Sequence, residues 1–285
     1  MTSCNLTTRP DGVAVLSIDQ PNSRANVLST ELWNDLGTAV DAIGMTPNVK
    51  GLIIASAKPG IFIAGADLKL LGDARTPHDP AVTAFINLGL SVLEKLESLP
   101  FATIAAIDGA ALGGGLEVAL ACDFRIVGTN PKVQLGLPET TLGLIPGWGG
   151  TQRLPRIVGL VVAAKMLSTA KSLNASEAVD CDLALDQIHS ENLIDAAAAV
   201  LLNLTGAMKS QARRMKQQPI PEPDVVTFKP VESDSAAVNE AIRVMVAGAA
   251  LPLNEAMPLE TNAFLSLTGT PDSKAKIAAF FERKK

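Results

Sequence analysis

The strongest constraint on how this chain folds is an alternation. Val13–Ile18, Leu52–Ala55, Thr103–Ile107 and Phe124–Val127 are short runs rich in β-branched residues, each bounded by Gly, Pro or Asp. Such runs read as buried strands. Between the first two, Leu32, Leu36, Ala39, Val40 and Ile43 share one helical face behind Ser29 or Thr30, either of which suits an N-cap. A second helix is predicted from about Pro80 to Leu99, where Phe85, Gly89, Val92, Leu96 and Leu99 recur at steps of three and four. Strands alternating with helices predict an α/β core whose sheets are covered by helices. Periodicity alone leaves open which α/β fold it is.

The pattern changes after about Leu204, so residues 1–204 read as the core and 205–285 as a C-terminal helical appendage. Within the appendage, about 217–230, Pro219, Pro221, Pro223 and Pro230 predict a loop or semi-rigid linker. Beyond it Val238, Ile242 and Met245 form a helical stripe. A last helix is expected to start at Thr270-Pro271-Asp272 and to bury Ile277 and Phe281.

Composition excludes several classes. With 285 residues, 47% hydrophobic and 19% charged, the chain can bury a core without disulfides. Cys4, Cys122 and Cys181 are odd in number and far apart, which predicts reduced thiols, a cytoplasmic location and no metal site. A net charge of −5 without basic blocks disfavours nucleic acid as a partner. Apolar stretches are broken short of a membrane span, and Met1–Arg9 has neither the apolar core of a signal peptide nor the character of a transit peptide.

The segment from Ile104 to Gly159 carries the chemistry. A strand ends at Ile107-Asp108-Gly109, and Gly113-Gly114-Gly115 leads into the helical Leu116–Asp123. Glycines just before a helix let backbone N–H groups approach an anion, with the positive end of the helix dipole behind them. The same glycines also suit a tight turn or close packing. Glu117 lies in a segment with the composition of a buried helix, so it is paired, protonated or facing a pocket; a salt bridge to Arg125 or Arg153 is the plain alternative. Glu139 is a lone acid in the Gly- and Pro-rich stretch Gly136–Gly150, and is otherwise a loop or helix-start acid. Two carboxylates in apolar, glycine-lined surroundings suggest an acid/base pair with separated pKa values. Upstream, Ala64-Gly65-Ala66-Asp67 is small enough to bring a backbone N–H to a substrate oxygen, or is simply a helix start capped by Asp67.

Together, Ile63–Leu68, Ile104–Glu117 and Leu135–Glu139 through Pro146–Pro155 resemble the crotonase, or enoyl-CoA hydratase/isomerase, superfamily. The match runs from about Val13 to Leu173, weakens to about Leu204 and returns at Thr261–Lys285. Ser56-Ala57-Lys58-Pro59 and the longer connection Thr129–Gly136 look most like the hydratase portion of multifunctional fatty-acid β-oxidation α-subunits, but no Gly-x-Gly-x-x-Gly turn for NAD follows.

The resemblance implies a spiral of ββα units with C-terminal helices, assembled as a homotrimer or a hexamer of two trimers. It implies an acyl-CoA substrate, with coenzyme A as part of the substrate and no separate cofactor or metal. Ala66 N–H and Gly114 N–H would form an oxyanion hole. Glu117 and Glu139 would hold the water that adds across the double bond. Ala64, Gly65, Asp67, Leu68 and Lys69 would line the CoA channel, and Gly147 would help orient the water. Trp148 stands where many relatives have a small residue, and either narrows the acyl pocket or packs under its loop. The acidic Asp180–Asp186 and the stretch Pro219–Val231 depart from the family pattern. A double-bond isomerase needs only a proton shuttle, so the presence of both acids favours hydration. A non-catalytic RNA-binding or scaffold protein on the same fold is disfavoured by the acidic charge and the intact pair.

Overall fold

A computed structural model describes residues 2–204, 206–230 and 233–283, with the backbone alone at 222, 223 and 226. Met1, Thr205, Val231, Glu232, Lys284 and Lys285, which fall in segments discussed above, lie outside the described residues. In chain order the elements are β1 (Cys4–Thr8), β2 (Val13–Ile18), α1 (Thr30–Gly44), β3 (Gly51–Ser56), β4 (Gly60–Ile63), α2 (Leu68–Gly72), α3 (Pro80–Glu97), β5 (Ala102–Ile107), β6 (Gly109–Leu112) and α4 (Gly114–Ala121). There follow β7 (Phe124–Gly128), β8 (Gln134–Gly136), α5 (Gly150–Thr169), α6 (Ala175–Asp180), β9 (Gln187–Ile188), α7 (Leu193–Asn203) and α8 (Gly206–Gln217). The last four helices are α9 (Glu222–Thr227), α10 (Ala236–Ala249), α11 (Leu253–Leu267) and α12 (Pro271–Glu282). Short 3-10 turns run over Glu139–Leu142 and Ser190–Asn192.

The chain forms two compact units, each discontinuous in sequence: residues 1–66, 88–135 and 173–214 make the first, and 67–87, 136–172 and 215–285 the second. The boundary expected near 204 thus falls inside the first unit, ten residues before the chain leaves it.

In the first unit a six-stranded sheet runs in the order β1-β2-β3-β5-β7-β9. The edge pair β1–β2 is antiparallel; β2–β3, β3–β5, β5–β7 and β7–β9 are parallel. Parallel strands are covered on both faces, which is why their residues are almost wholly apolar. Val13, Ile53, Ile104 and Ile126 pack on Ala197, Ala198 and Leu201 of α7. Helix α1 starts where Ser29 accepts a bond from the Leu32 amide, and buries Leu32, Leu36, Ala39, Val40 and Ile43. A second sheet, β4-β6-β8, is small. Residues up to 214 stay with this unit for a concrete reason: Arg213 forks onto buried Asp123 (Nε–Oδ1 2.6 Å, Nη2–Oδ2 2.8 Å) and donates to the carbonyls of Leu99 and Phe101. A two-pronged guanidinium–carboxylate bond fixes orientation as well as charge.

The second unit is helical. Helices α5, α10 and α11 pack on one another, and α12 packs on α2 and on the 3-10 turn. The stripe of Val238, Ile242 and Met245 is buried in α10. Thr270 caps α12, Pro271 occupies its first position and Ile277 is buried; Phe281 is half-buried and stacks edge-on with Phe280. The proline-rich stretch corrects an expectation. It is not a loop throughout but holds the six-residue α9, with Pro221 as N-cap and Pro223 inside the first turn. First-turn amides have no partner within their own helix, so a proline there costs nothing. Among the described residues no single helix is long and apolar enough to cross a membrane.

Candidate active site

In the first unit the site begins at the end of β4. Buried Asn26 holds this strand end: its Nδ2 donates to the carbonyls of Ile18 (3.2 Å) and Phe62 (3.0 Å) and to Ser56 Oγ (2.9 Å). The amide of Ala64 then donates to the Asn26 carbonyl at 2.8 Å, and that of Leu28 to the Gly65 carbonyl at 2.9 Å. Ala66, the next residue, is half-buried, and Ala64 is exposed.

The three glycines where α4 begins are held differently. Gly113 has φ +53° and ψ −126°, a conformation that side chains strongly disfavour. A Cβ at Gly115 would overlap the Ile63 carbonyl, so Gly115 lets α4 seat against β4. Gly114 is left as the first residue of α4, buried, at the positive end of the helix. Among the described residues neither the Ala66 nor the Gly114 amide has a backbone acceptor. The tight turn weighed for the glycine run thus falls to Gly113 and the close packing to Gly115. Glu117 lies in the first turn of α4, 1% exposed, its amide bonded to the Gly113 carbonyl at 3.1 Å. Arg125, a partner considered for it, is buried and donates to the carbonyls of Leu183, Ala119 and Cys122.

In the second unit Asp67 caps α2, its Oδ1 accepting the Lys69 amide at 2.9 Å; Leu68 is half-buried and Lys69 exposed. Glu139 opens the 3-10 turn and its carbonyl accepts the Leu144 amide at 3.1 Å. The residue as a whole is half-buried, but its Oε2 is sealed from solvent with no hydrogen-bond partner. Burial pushes the Glu139 carboxyl up to about 8, with Glu260 adding repulsion. Gly147 is buried, and a Cβ there would meet the Phe264 ring at 3.0 Å. Trp148 packs under its loop: it is 2% exposed, its Nε1 donates to the Ile86 carbonyl at 3.1 Å, and its ring stands edge-on to Phe85 at 5.2 Å. Arg153 donates to the Trp148 carbonyl at 2.7 Å.

Two residues were not anticipated. Asn26 is one. Glu260 is the other: it is wholly buried on α11 beside Ala256, Ala263 and Phe264, and accepts from the Gly149 amide, the Thr151 amide and Thr151 Oγ1. The signal for it was the one that marked Glu117, an acid on an otherwise apolar helix face. Ala66, Gly114 and Glu117 are thus grouped in one unit, and Asp67, Glu139, Gly147 and Trp148 in the other.

A family model described as enoyl-CoA hydratase/isomerase matches residues 8–219, most of the chain. The chain belongs to the enoyl-CoA hydratase/isomerase family. Solved structures of similar fold span nearly its whole length. An enoyl-CoA hydratase from Bacillus anthracis is 29% identical, with a TM-score of 0.65 over 99% of this chain and 97% of that one. Human mitochondrial delta3-delta2-enoyl-CoA isomerase is 22% identical, with a TM-score of 0.74 over 99% and 98%. An enoyl-CoA hydratase from Mycobacterium avium subsp. paratuberculosis K-10 is 22% identical, with a TM-score of 0.71 over 99% and 96%. At 22% identity the likeness is one of fold. This hydratase/isomerase-family chain has the α/β crotonase fold with helices at its C-terminus, and its family's chemistry is that of acyl-CoA thioesters.

Proposed function

We propose that the chain is an enoyl-CoA hydratase, adding water syn across the 2,3 double bond of a 2-enoyl-CoA to give a 3-hydroxyacyl-CoA. The observation that carries this reading is the retention of two acids: Glu117, buried in the first turn of α4, and Glu139, whose sealed Oε2 favours the protonated form. Moving a double bond needs one proton shuttle; adding water needs one group to take a proton from the water and another to give a proton to carbon.

In this reading Glu117 takes the proton as the water oxygen attacks the β-carbon, and Glu139 supplies the proton to the α-carbon. Charge develops on the thioester oxygen as the enolate forms. The amides of Ala66 and Gly114 stabilise that charge more than the neutral carbonyl, which lowers the barrier. Ala64, Gly65, Asp67, Leu68 and Lys69 line the path of the coenzyme A portion, and Gly147 N–H orients the water. The active assembly is a homotrimer or a pair of trimers, in the cytoplasm. No redox step is involved, and every atom of the product comes from substrate and water.

Rates on crotonyl-CoA and on a 3-enoyl-CoA test the reading. Hydration of crotonyl-CoA is expected to dominate. Isomerisation of the 3-enoyl thioester without hydration would replace the reading with an isomerase, and salt-dependent RNA binding without turnover would replace both.

A further inference from the structure

We propose that Glu260 is a positioning residue for Glu139: it accepts the amides that open α5, carries the single negative charge of the two buried acids, and so keeps the proton on Glu139. The geometry of the donors assigns the charge. The Gly149 amide donates to Oε1 at 2.5 Å; the Thr151 amide (2.7 Å) and Thr151 Oγ1 (2.5 Å) donate to Oε2. Gln152 Nε2 donates to Thr151 Oγ1 at 2.9 Å, which leaves the threonine hydrogen free to point at Glu260. Three donors onto two oxygens suit a carboxylate, which only accepts, and not a carboxylic acid, which must also donate. The first amides of a helix add the positive end of its dipole. By contrast, the sealed Oε2 of Glu139 has no donor. A second negative charge there would be desolvated and uncompensated, so that oxygen holds a proton instead.

The other charged groups reinforce this division. Burial raises the Glu260 carboxyl too, to about 7, but the bonds from Thr151 and Gly149 and then the charge of Arg153, on α5, favour its anion. Arg156, also on α5, is occupied by the carbonyls of Gln152, Gly248 and Leu251. On α10 the charged pair Glu240–Arg243 is self-contained, and on α12 Asp272 pairs with Lys276. Glu260 is therefore the like charge that acts on Glu139. A helix start is ordinarily capped by a neighbouring Ser, Thr, Asn or Asp. Here the cap comes from 109–111 residues away and is set near a second buried acid. Burying two carboxyl groups together is costly, and what the arrangement achieves is to separate their proton affinities.

The test is an infrared titration of the carboxyl groups in the full chain, comparing wild type with Glu139→Gln and Glu260→Gln. Wild type is expected to show a protonated carboxyl at neutral pH that Glu139→Gln removes. In Glu260→Gln the Glu139 band is expected to disappear at a pH lower by about one unit or more, because a like charge is gone. A neutral-pH band that survives Glu139→Gln, or a Glu139 titration unchanged in Glu260→Gln, overturns the proposal. Should Glu260→Gln not fold, wild type against Glu139→Gln still decides where the proton sits. A second readout is the alkaline limb of kcat/KM for crotonyl-CoA hydration, which is expected to move to lower pH in Glu260→Gln with KM little changed; an unmoved limb contradicts the proposal. This arm rests on the hydration reading. With no hydration at all that reading fails, and the infrared arm still decides the charge of the pair.

Discussion

Two helices in this chain start behind runs of glycine, and their first amides meet different fates. At α4, after Gly113, the Gly114 amide has no backbone acceptor among the described residues. At α5, after Gly147-Trp148-Gly149, the opening amides are filled by buried Glu260. Among the described residues, the same local sequence device thus leaves the Gly114 amide without a backbone acceptor in one unit and sets opening amides on a carboxylate in the other. A glycine run before a helix does not by itself mark a site; what occupies the amides does.

The largest effects should come from the acids on which the proposed chemistry depends. Glu117→Gln and Glu139→Gln are each expected to lower kcat by about 10²–10⁴ with acyl-CoA binding largely kept, measured by steady-state kinetics beside equilibrium titration. Normal turnover in either variant would remove the contrast between a reactive helix start and one set on a carboxylate. Next, Gly115→Ala should destabilise the chain by several kcal/mol, of the order seen for severe overpacking, because the new methyl meets the Ile63 carbonyl. Gly149→Ala should cost less, about 1–3 kcal/mol, because its obstacle is the end of a side chain, the Arg153 guanidinium held on the Trp148 carbonyl, rather than backbone, although its φ of +99° adds strain. Denaturant melts rank the two, and the reverse order would refute the tasks assigned to these glycines.

The α5 start also has a pH signature. Folding raises the proton affinity of Glu139 from its ordinary 4.5 to about 8. A raised affinity contributes stability that is complete below the ordinary range and is lost as pH rises through the folded value. Wild type should therefore lose stability on the order of a few kcal/mol between about pH 5 and 8, and Glu139→Gln should reduce that slope in urea melts taken across the range, leaving the part that belongs to Glu260, which burial raises to about 7. The smallest effect belongs to Trp148→Phe, which gives up one hydrogen bond to the Ile86 carbonyl. It should cost about 1 kcal/mol and leave turnover of crotonyl-CoA nearly unchanged; a large gain on longer enoyl thioesters would instead make Trp148 a wall of the acyl pocket.

How much could be read in advance follows from the same physics. Central strands β2, β3, β5 and β7 were visible because burial makes them almost wholly apolar, with Arg125 in β7 the charged exception. The edge strand β1, with Asn and Thr at exposed positions, and the two-residue β9 carry no such signal. In β4 and β6, four residues each with an opening glycine, there is too little length for a period to register. Glu117 and Glu139 stood out as acids in apolar surroundings. Glu260 met the same criterion but sits more than 100 residues from the amides it holds, and its partner could not be inferred from local spacing. Asn26 is identified only by the three carbonyl and hydroxyl oxygens that converge on it. A reading in chain order also cannot see that residues 67–87 and 136–172 join the C-terminal helices in one unit.

The central claim is that water is the co-substrate. Running the reaction on crotonyl-CoA in ¹⁸O-labelled heavy water and analysing the product by mass spectrometry tests it directly. The account predicts 3-hydroxybutyryl-CoA with a solvent oxygen on carbon 3 and one solvent deuteron on carbon 2. Deuterium entering the thioester without oxygen, or a substrate returned unchanged, would contradict it.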